Sequence, residues 1–284
     1  MQKADAYWRL FRIEHAFMLS FAVLLAILVS SQGKLPPYPM LFAALAVPFF
    51  IEMGSFALND CLDVKTDREN RRQDRPVATG EISQKSAFAA SAVCYILGVG
   101  LAFALPQPAL YIALAFSALS VAYNFKLKDM PAIGNAYIAA SMAVPFVFGN
   151  LVASDRIMPS MLAIASVAFA AGFGREIVKS AEDLEGDVKH RGSKTLPAIL
   201  GKKASLKIAS AFYLISAALA LLPFAAGLRA NTLSVGMVAL AAISFAYLAK
   251  IVWDKHEIEE LRMARKASLL VLAIGLLGYA ASLI

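Results

Sequence analysis

Apolar residues run along this chain in long blocks parted by short polar stretches. Nine such blocks can be drawn, at 15–32, 38–59, 84–104, 108–124, 132–153, 157–181, 204–226, 231–250 and 267–284. Most are ~17–25 residues long, enough for a helix to cross the hydrocarbon layer with some tilt. The breaks fall where turn-forming residues cluster, as at Gly33–Pro37, Pro106–Pro108 and Ser154–Pro159. The pattern predicts an all-α polytopic membrane protein with nine transmembrane helices, forming a single intramembrane domain over 1–284.

Composition and charge sharpen this picture. Sixty per cent of the residues are apolar, more than one soluble core could bury. The net charge of +7 would raise nucleic acid as a partner in a soluble protein. In a membrane protein, cation-rich cytoplasmic loops explain it, and no nucleic acid is expected. With the N-terminus placed in the cytoplasm, 24 of the 27 Lys and Arg residues fall inside, and only Lys34, Arg156 and Arg229 fall outside. That asymmetry predicts a multi-pass protein of the cell membrane with its C-terminus outside. The first block follows Lys3, Arg9 and Arg12, as in a signal peptide, but it is long and has no small-residue cleavage site, so a retained helix is expected. Segment 4–14 mixes aromatic and basic residues and is expected to lie along the interface. Cys61 and Cys94 stand 33 residues apart with no metal or disulfide spacing.

Two runs of acids are not required by hydropathy. The second block ends in Asn59-Asp60-Cys61-Leu62-Asp63-Val64-Lys65-Thr66-Asp67-Arg68. Asn59, Asp63 and Asp67 step by four and share one helical face, with Asp60 one turn before Asp63. Like charges at this spacing repel, and burial opposes their ionisation. A divalent cation relieves both penalties; Mg²⁺ prefers oxygen ligands and takes one or two carboxylates together with substrate phosphate. The sixth block ends in a second stripe, Glu176, Lys179, Asp183 and Asp187. Segment 187–197 also echoes 63–76, since both open with Asp-Val-Lys, pass through basic residues and end in proline. Charged helix ends are ordinarily just solvated. Their recurrence at equivalent cytoplasmic ends, interleaved with Arg and Lys, points instead to a joint site for metal and diphosphate.

These residues resemble the UbiA-type intramembrane prenyltransferases. Asn59, Asp60, Asp63 and Asp67 meet that family's NDxxDxxxD pattern in full, and Asp183 and Asp187 meet its second DxxxD. The resemblance extends from Arg12 to about Pro197. Arg175–Lys179, Glu182–Asp187 and Lys194–Pro197 are similar to the archaeal lipid branch, digeranylgeranylglyceryl phosphate synthase, as are Arg75, Pro76, Gly80, Ile82 and Ser83. The resemblance implies Mg²⁺-dependent transfer of a geranylgeranyl group from geranylgeranyl diphosphate to geranylgeranylglyceryl phosphate, a lipid-phosphate acceptor presented among membrane lipids. It also implies an active site opening to the cytoplasmic side. Asn59, Asp60, Asp63, Asp67, Asp183 and Asp187 would be catalytic, and all of these but Asp60 would hold metal. Arg12, Arg68, Tyr123, Lys126, Lys128, Lys179 and Lys189 would bind diphosphate. Segment Tyr123–Lys128 is similar to the family's YSxxLK, with Lys128 in the motif's place and Lys126 an extra cation; ordinary positive-inside anchoring also accounts for both. The chain departs from the family at Cys61 and Leu62, where a larger aromatic is expected, and in its charged Thr66–Glu69.

The chemistry stands apart from the likeness. An allylic diphosphate ionises when cations stabilise the leaving group and the carbocation is shielded from water. An excess of cations, among them Arg68, Arg71, Arg72, Arg75, Lys126, Lys128, Lys189 and Lys194, would suit a second anionic head from the acceptor. Glu52, a lone acid inside the second block, is either functional or hydrogen-bonded structure. Segment Asp254–Glu260 reads as a solvated loop, and His15, His190 and His256 show no zinc spacing. Two other readings compete: prenylation of an aromatic quinone precursor, and a cation-coupled transporter, which would place its acids near the bilayer midplane on broken helices.

Overall fold

The computed structural model describes residues 2–184 and 195–284, and among them it contains helices and no strand. Nine of the described helices are long and apolar enough to cross a membrane. They are α1 (Ile13–Ser30), α2 (Tyr38–Leu62), α3 (Gln84–Ala102), α4 (Gln107–Phe125), α5 (Ile133–Ala153), α6 (Pro159–Glu182), α7 (Lys202–Leu219), α8 (Thr232–Asp254) and α9 (Ile258–Ala280). The turn Leu222–Ala225 prolongs α7. Proline in the first turn opens α2, α4 and α6, where its fixed φ suits the helix and its missing N–H costs nothing. Ser83 caps α3 by accepting from the Ser86 N–H, and Asn231 and Ser234 form a capping box on α8.

The expected segments are all present, with one boundary displaced. Helix α9 begins at Ile258, well ahead of the apolar block at 267, so Asp254–Glu260 is only partly loop. Its first turns are amphipathic rather than apolar: Leu261 and Ala264 are fully buried while Glu259 and Arg262 face outward. Hydropathy blocks miss such turns; a three-to-four-residue spacing reveals them.

Helix α6 is the hub. Of its most apolar stretch 78% is buried inside the protein, against 28–44% for the other spans. It packs against α5, α7 and α9, while α1 joins α5 to α2, and α2 pairs with α3. Close approach rests on small residues, since lipid offers no hydrophobic drive for one helix to prefer another. At Gly149 of α5 a Cβ would stand 2.7 Å from the Val23 carbonyl oxygen of α1, so only glycine permits that contact.

Before α1, an N-terminal helix Gln2–Phe11 buries Ala6 and Leu10 against Ala57, Cys61, Val77 and Ile82 and leaves Trp8 half-exposed. It breaks from α1 at Arg12, whose φ of 43° is left-handed, a conformation costing a non-glycine residue about 1–2 kcal/mol.

Candidate active site

Helix α2 ends at Leu62, and Asp63 turns the chain into a short helix, Val64–Glu69. The four-residue step survives this junction: the Asp63 N–H donates to the Asn59 carbonyl (2.9 Å) and the Asp67 N–H to that of Asp63 (2.8 Å). Asn59, Asp63 and Asp67 therefore stay on one face, as their spacing predicts, and all three line one cavity of about 440 Å³ at the end of the bundle. Across it, the end of α6 contributes Glu176, Lys179, Ser180, Glu182 and Asp183. The remaining wall includes Arg72 and Arg75 from the loop after α2, Tyr123 from α4, Lys128 from the turn Leu127–Asp129, and Asn135 from α5.

Hydrogen bonds fix much of this lining. Asp63 accepts from Lys128 Nζ (2.6 Å) and Asn59 Nδ2 (2.9 Å), and both members of the Lys128–Asp63 ion pair are nearly buried. Asn135 Nδ2 donates to Ser180 Oγ (3.0 Å), tying α5 to α6. Arg175 pairs with Glu176, leaving Lys179, half-exposed and 4.0 Å from Glu176, as a loosely held cation. Arg72 donates two bonds of 2.8 Å to Asp74, which hold the Asp74 carboxyl below the usual carboxylate range. Burial pushes the Asp183 carboxyl above that range, partly offset by Lys179.

The structure sorts the sequence candidates. Asn59, Asp63, Asp67, Asp183, Tyr123, Lys128 and Lys179 line the cavity. Asp60 does not: 1% exposed, it faces away and binds both Arg12 (2.7 Å) and Arg75. Arg12, with its guanidinium 4.1 Å from the centre of the Phe56 ring, braces that side rather than the lining. Arg68 turns outward to the Ala78 carbonyl, and Lys126 is likewise absent from the lining. Asp187, Lys189, Arg191 and Lys194 lie outside the described residues. Asn135 and Ser180 carried no sequence signal, being neutral groups without motif spacing; Glu176 was visible on the acidic stripe.

The donor set suits magnesium. Asn59, Asp63, Asp67 and Asp183 offer hard oxygens, and among the described residues neither Cys nor His lines the cavity. Among the described residues no three His, Cys, Asp or Glu side chains gather into a closed cage. Sparse carboxylates facing open space are what Mg²⁺ uses when phosphate completes its shell.

Inward from this cavity along α2, α4 and α5 lies an apolar pocket of about 60 Å³, whose wall includes Val47, Pro48, Glu52, Phe116, Tyr137 and Phe148. Tyr137 stacks on Tyr123 with ring centres 4.5 Å apart and on Phe116 at 6.4 Å. One aromatic wall thus runs from the polar cavity into the apolar pocket.

The model of the UbiA prenyltransferase family matches residues 19–279. The chain belongs to that family. A digeranylgeranylglyceryl phosphate synthase of Archaeoglobus fulgidus is 34% identical over 280 residues, covering 96% of this chain and 94% of the relative. One of Methanothrix thermoacetophila is 37% identical over 69% of this chain and 68% of its own length. A solved structure concerned with digeranylgeranylglyceryl phosphate synthase in membranes superposes with a TM-score of 0.83 at 27% identity, covering 100% of this chain and 99% of the other. A UbiA homologue from Archaeoglobus fulgidus bound to GPP and Mg²⁺ shares the fold, with a TM-score of 0.71 at 21% identity over 96% of this chain and 99% of that one. As a member of the UbiA family the chain is a multi-pass membrane prenyltransferase, and the transporter reading falls away.

Proposed function

We propose that this protein transfers a geranylgeranyl group from its diphosphate to the free hydroxyl of geranylgeranylglyceryl phosphate, forming the second ether bond of an archaeal lipid. The observation that carries the reading is the pairing of two cavities. A polar one, walled by both acidic helix ends, is linked through the stacked rings of Tyr123 and Tyr137 to the wall of an apolar one. Diphosphate and tail have matching chemistries. Relatives named digeranylgeranylglyceryl phosphate synthase support this choice of donor and acceptor.

Asn59, Asp63 and Asp67 on one wall and Asp183 on the other, with Asp187 beyond it in sequence, would hold Mg²⁺. When bound, the metal neutralises the diphosphate and the charge that builds on it as it leaves. Lys128, Lys179 and Arg72 add fixed positive charge around the same oxygens. The donor's C1–O bond breaks with its electron pair going to the diphosphate. A C1–O bond to the acceptor forms as the hydroxyl gives its proton to the departing diphosphate. Tyr123, which lines the polar cavity and stacks on Tyr137 of the apolar pocket, would present its ring to the allylic cation, and the apolar pocket would exclude water.

The protein lies in the cell membrane with its N-terminus and the polar cavity on the cytoplasmic side and its C-terminus outside. The 24-to-3 partition of Lys and Arg supports this orientation. The deciding assay incubates purified enzyme and Mg²⁺ with labelled geranylgeranyl diphosphate and either geranylgeranylglyceryl phosphate or 4-hydroxybenzoate. Label in the phosphoglyceryl lipid is expected. Label only in the phenol would replace the acceptor and leave the transferase chemistry standing.

A further inference from the structure

Glu182 lies beside Asp183 in the cavity wall, and by charge and position it would pass for another metal ligand. Its partners say otherwise. One carboxylate oxygen accepts from Arg262 Nε at 3.0 Å and the other from Arg265 Nε at 2.8 Å. Both guanidiniums belong to α9, which contributes nothing to the lining of the cavity. The Glu182 side chain is only 8% exposed, against 24% for Arg265 and 53% for Arg262. With both oxygens committed, little is left for a cation.

The packing beneath the clamp is tight. Ile177, Val178 and Ala181 of α6 are buried in one cluster with Leu261 and Ala264 of α9. The clamp closes the outer end of that seam, where α6 stops at Glu182 and Asp183 begins the turn.

We propose that Glu182 is a positioning residue rather than a metal ligand. Held by Arg262 and Arg265, it fixes the end of α6, and with it Asp183, at the rim of the diphosphate cavity. The last helix thereby becomes part of the site without touching substrate. The clamp also silences a carboxylate that would otherwise stand uncompensated beside a polyanion, a costly arrangement near low-dielectric surroundings. This rests on the reading of the cavity as the diphosphate site.

The test is a charge swap read by binding. Wild type, Glu182→Arg, Arg265→Glu and the double reversal are compared in nanodiscs. The readouts are calorimetric affinity for Mg²⁺ with a non-reactive thiolo analogue of geranylgeranyl diphosphate, and melting temperature. Each single reversal is expected to weaken analogue binding about tenfold or more, and the double reversal to recover to within about threefold of wild type, as coupled charge pairs do. Glu182→Gln, which keeps the shape and loses the charge, guards against a reversal that fails to fold; wild-type analogue affinity in it would overturn the proposal. So would single variants that melt early yet bind like wild type, since that is a merely structural clamp. Tighter Mg²⁺ binding in Arg262→Ala/Arg265→Ala, beside lost binding in Glu182→Gln, would make Glu182 a ligand and also overturn it. If wild type itself does not bind the analogue, the diphosphate reading fails and this proposal with it; wild-type binding with indifferent variants sinks the proposal alone.

Discussion

Asp63→Asn tests the site with little disturbance of the fold. The side chain is 10% exposed, accepts from Asn59 and Lys128, and lies where α2 hands over to the next helix. Asparagine keeps the volume and one acceptor oxygen, so Lys128 or Asn59 retains a partner. The losses are one of these two hydrogen bonds and the charge assistance on Lys128, about 1–3 kcal/mol together before any relief of repulsion. Removing the carboxylate also relieves repulsion among Asp63, Asp67 and Asp183 across the cavity. Metal-free stability should therefore change by no more than about 1–2 kcal/mol. Catalysis should respond on another scale, because Asp63 is a proposed ligand of the ion that would neutralise the diphosphate as charge develops on it. A fall in turnover of at least ~100-fold, or ~2.7 kcal/mol of transition-state stabilisation, is expected. The assay is label transfer from geranylgeranyl diphosphate over a Mg²⁺ titration, with a melting curve on the same preparation. Wild-type turnover in Asp63→Asn, or wild-type activity that persists in EDTA, would refute the reasoning.

Other consequences follow from the same geometry. Asp183→Ala should cost a similar ~100-fold in turnover, since neither acidic end alone can neutralise a diphosphate; a threefold loss would show that the first motif suffices. Burial raises the Asp183 carboxyl, so its protonation stabilises the metal-free fold below the ordinary carboxylate range, and that stabilisation is lost as pH rises through the folded-state value. Asp183→Asn should accordingly raise the metal-free melting temperature at neutral pH, and an unchanged or lower value would contradict the burial argument. For the topology, a cysteine at position 284 should react with an impermeant maleimide in intact cells and one at Ser83 should not; the reverse labelling inverts the orientation. Gly149→Leu, which drives a side chain into the Val23 carbonyl and Ala26 of α1, should destabilise the protein by about 1–3 kcal/mol or more, measured as a lowered melting temperature in detergent.

Much of this was legible in the chain because a membrane restricts the options. A segment that must satisfy its own backbone in hydrocarbon can only be a helix, so nine apolar blocks meant nine helices. The stripe Asn59, Asp63, Asp67 was legible because a four-residue step survives even where the helix changes at Asp63. Which acids point inward was not. Asp60 and Asp63 are one turn apart and look alike in a motif, yet Asp60 is buried under Arg12 and Arg75 while Asp63 faces the cavity. That difference depends on the left-handed break at Arg12 and on how the loop carrying Arg75 folds back. Both are tertiary facts. The start of α9 was missed because hydropathy averages over Glu259, Arg262 and Arg265, and the partner of the two arginines, Glu182, lies on another helix.

The cations make the same point with more consequence for mechanism. Positive-inside bias and phosphate binding call for the same residues on the same side, so counting Lys and Arg could not separate them. Partners do. Arg68 is spent on a backbone carbonyl, Arg75 on Asp60, Arg262 and Arg265 on Glu182. Lys128 is held by Asp63 and Arg72 by Asp74, yet both line the cavity, and Lys179 lines it with only a distant partner. A site that must accept a diphosphate and later release it needs charge held in place by weak or displaceable partners. The strongly satisfied arginines instead shape the walls. Of the cations that line the cavity among the described residues, Lys179 is therefore the one whose charge is least committed before substrate arrives. It is the residue whose removal should raise KM for the diphosphate most while disturbing the fold least.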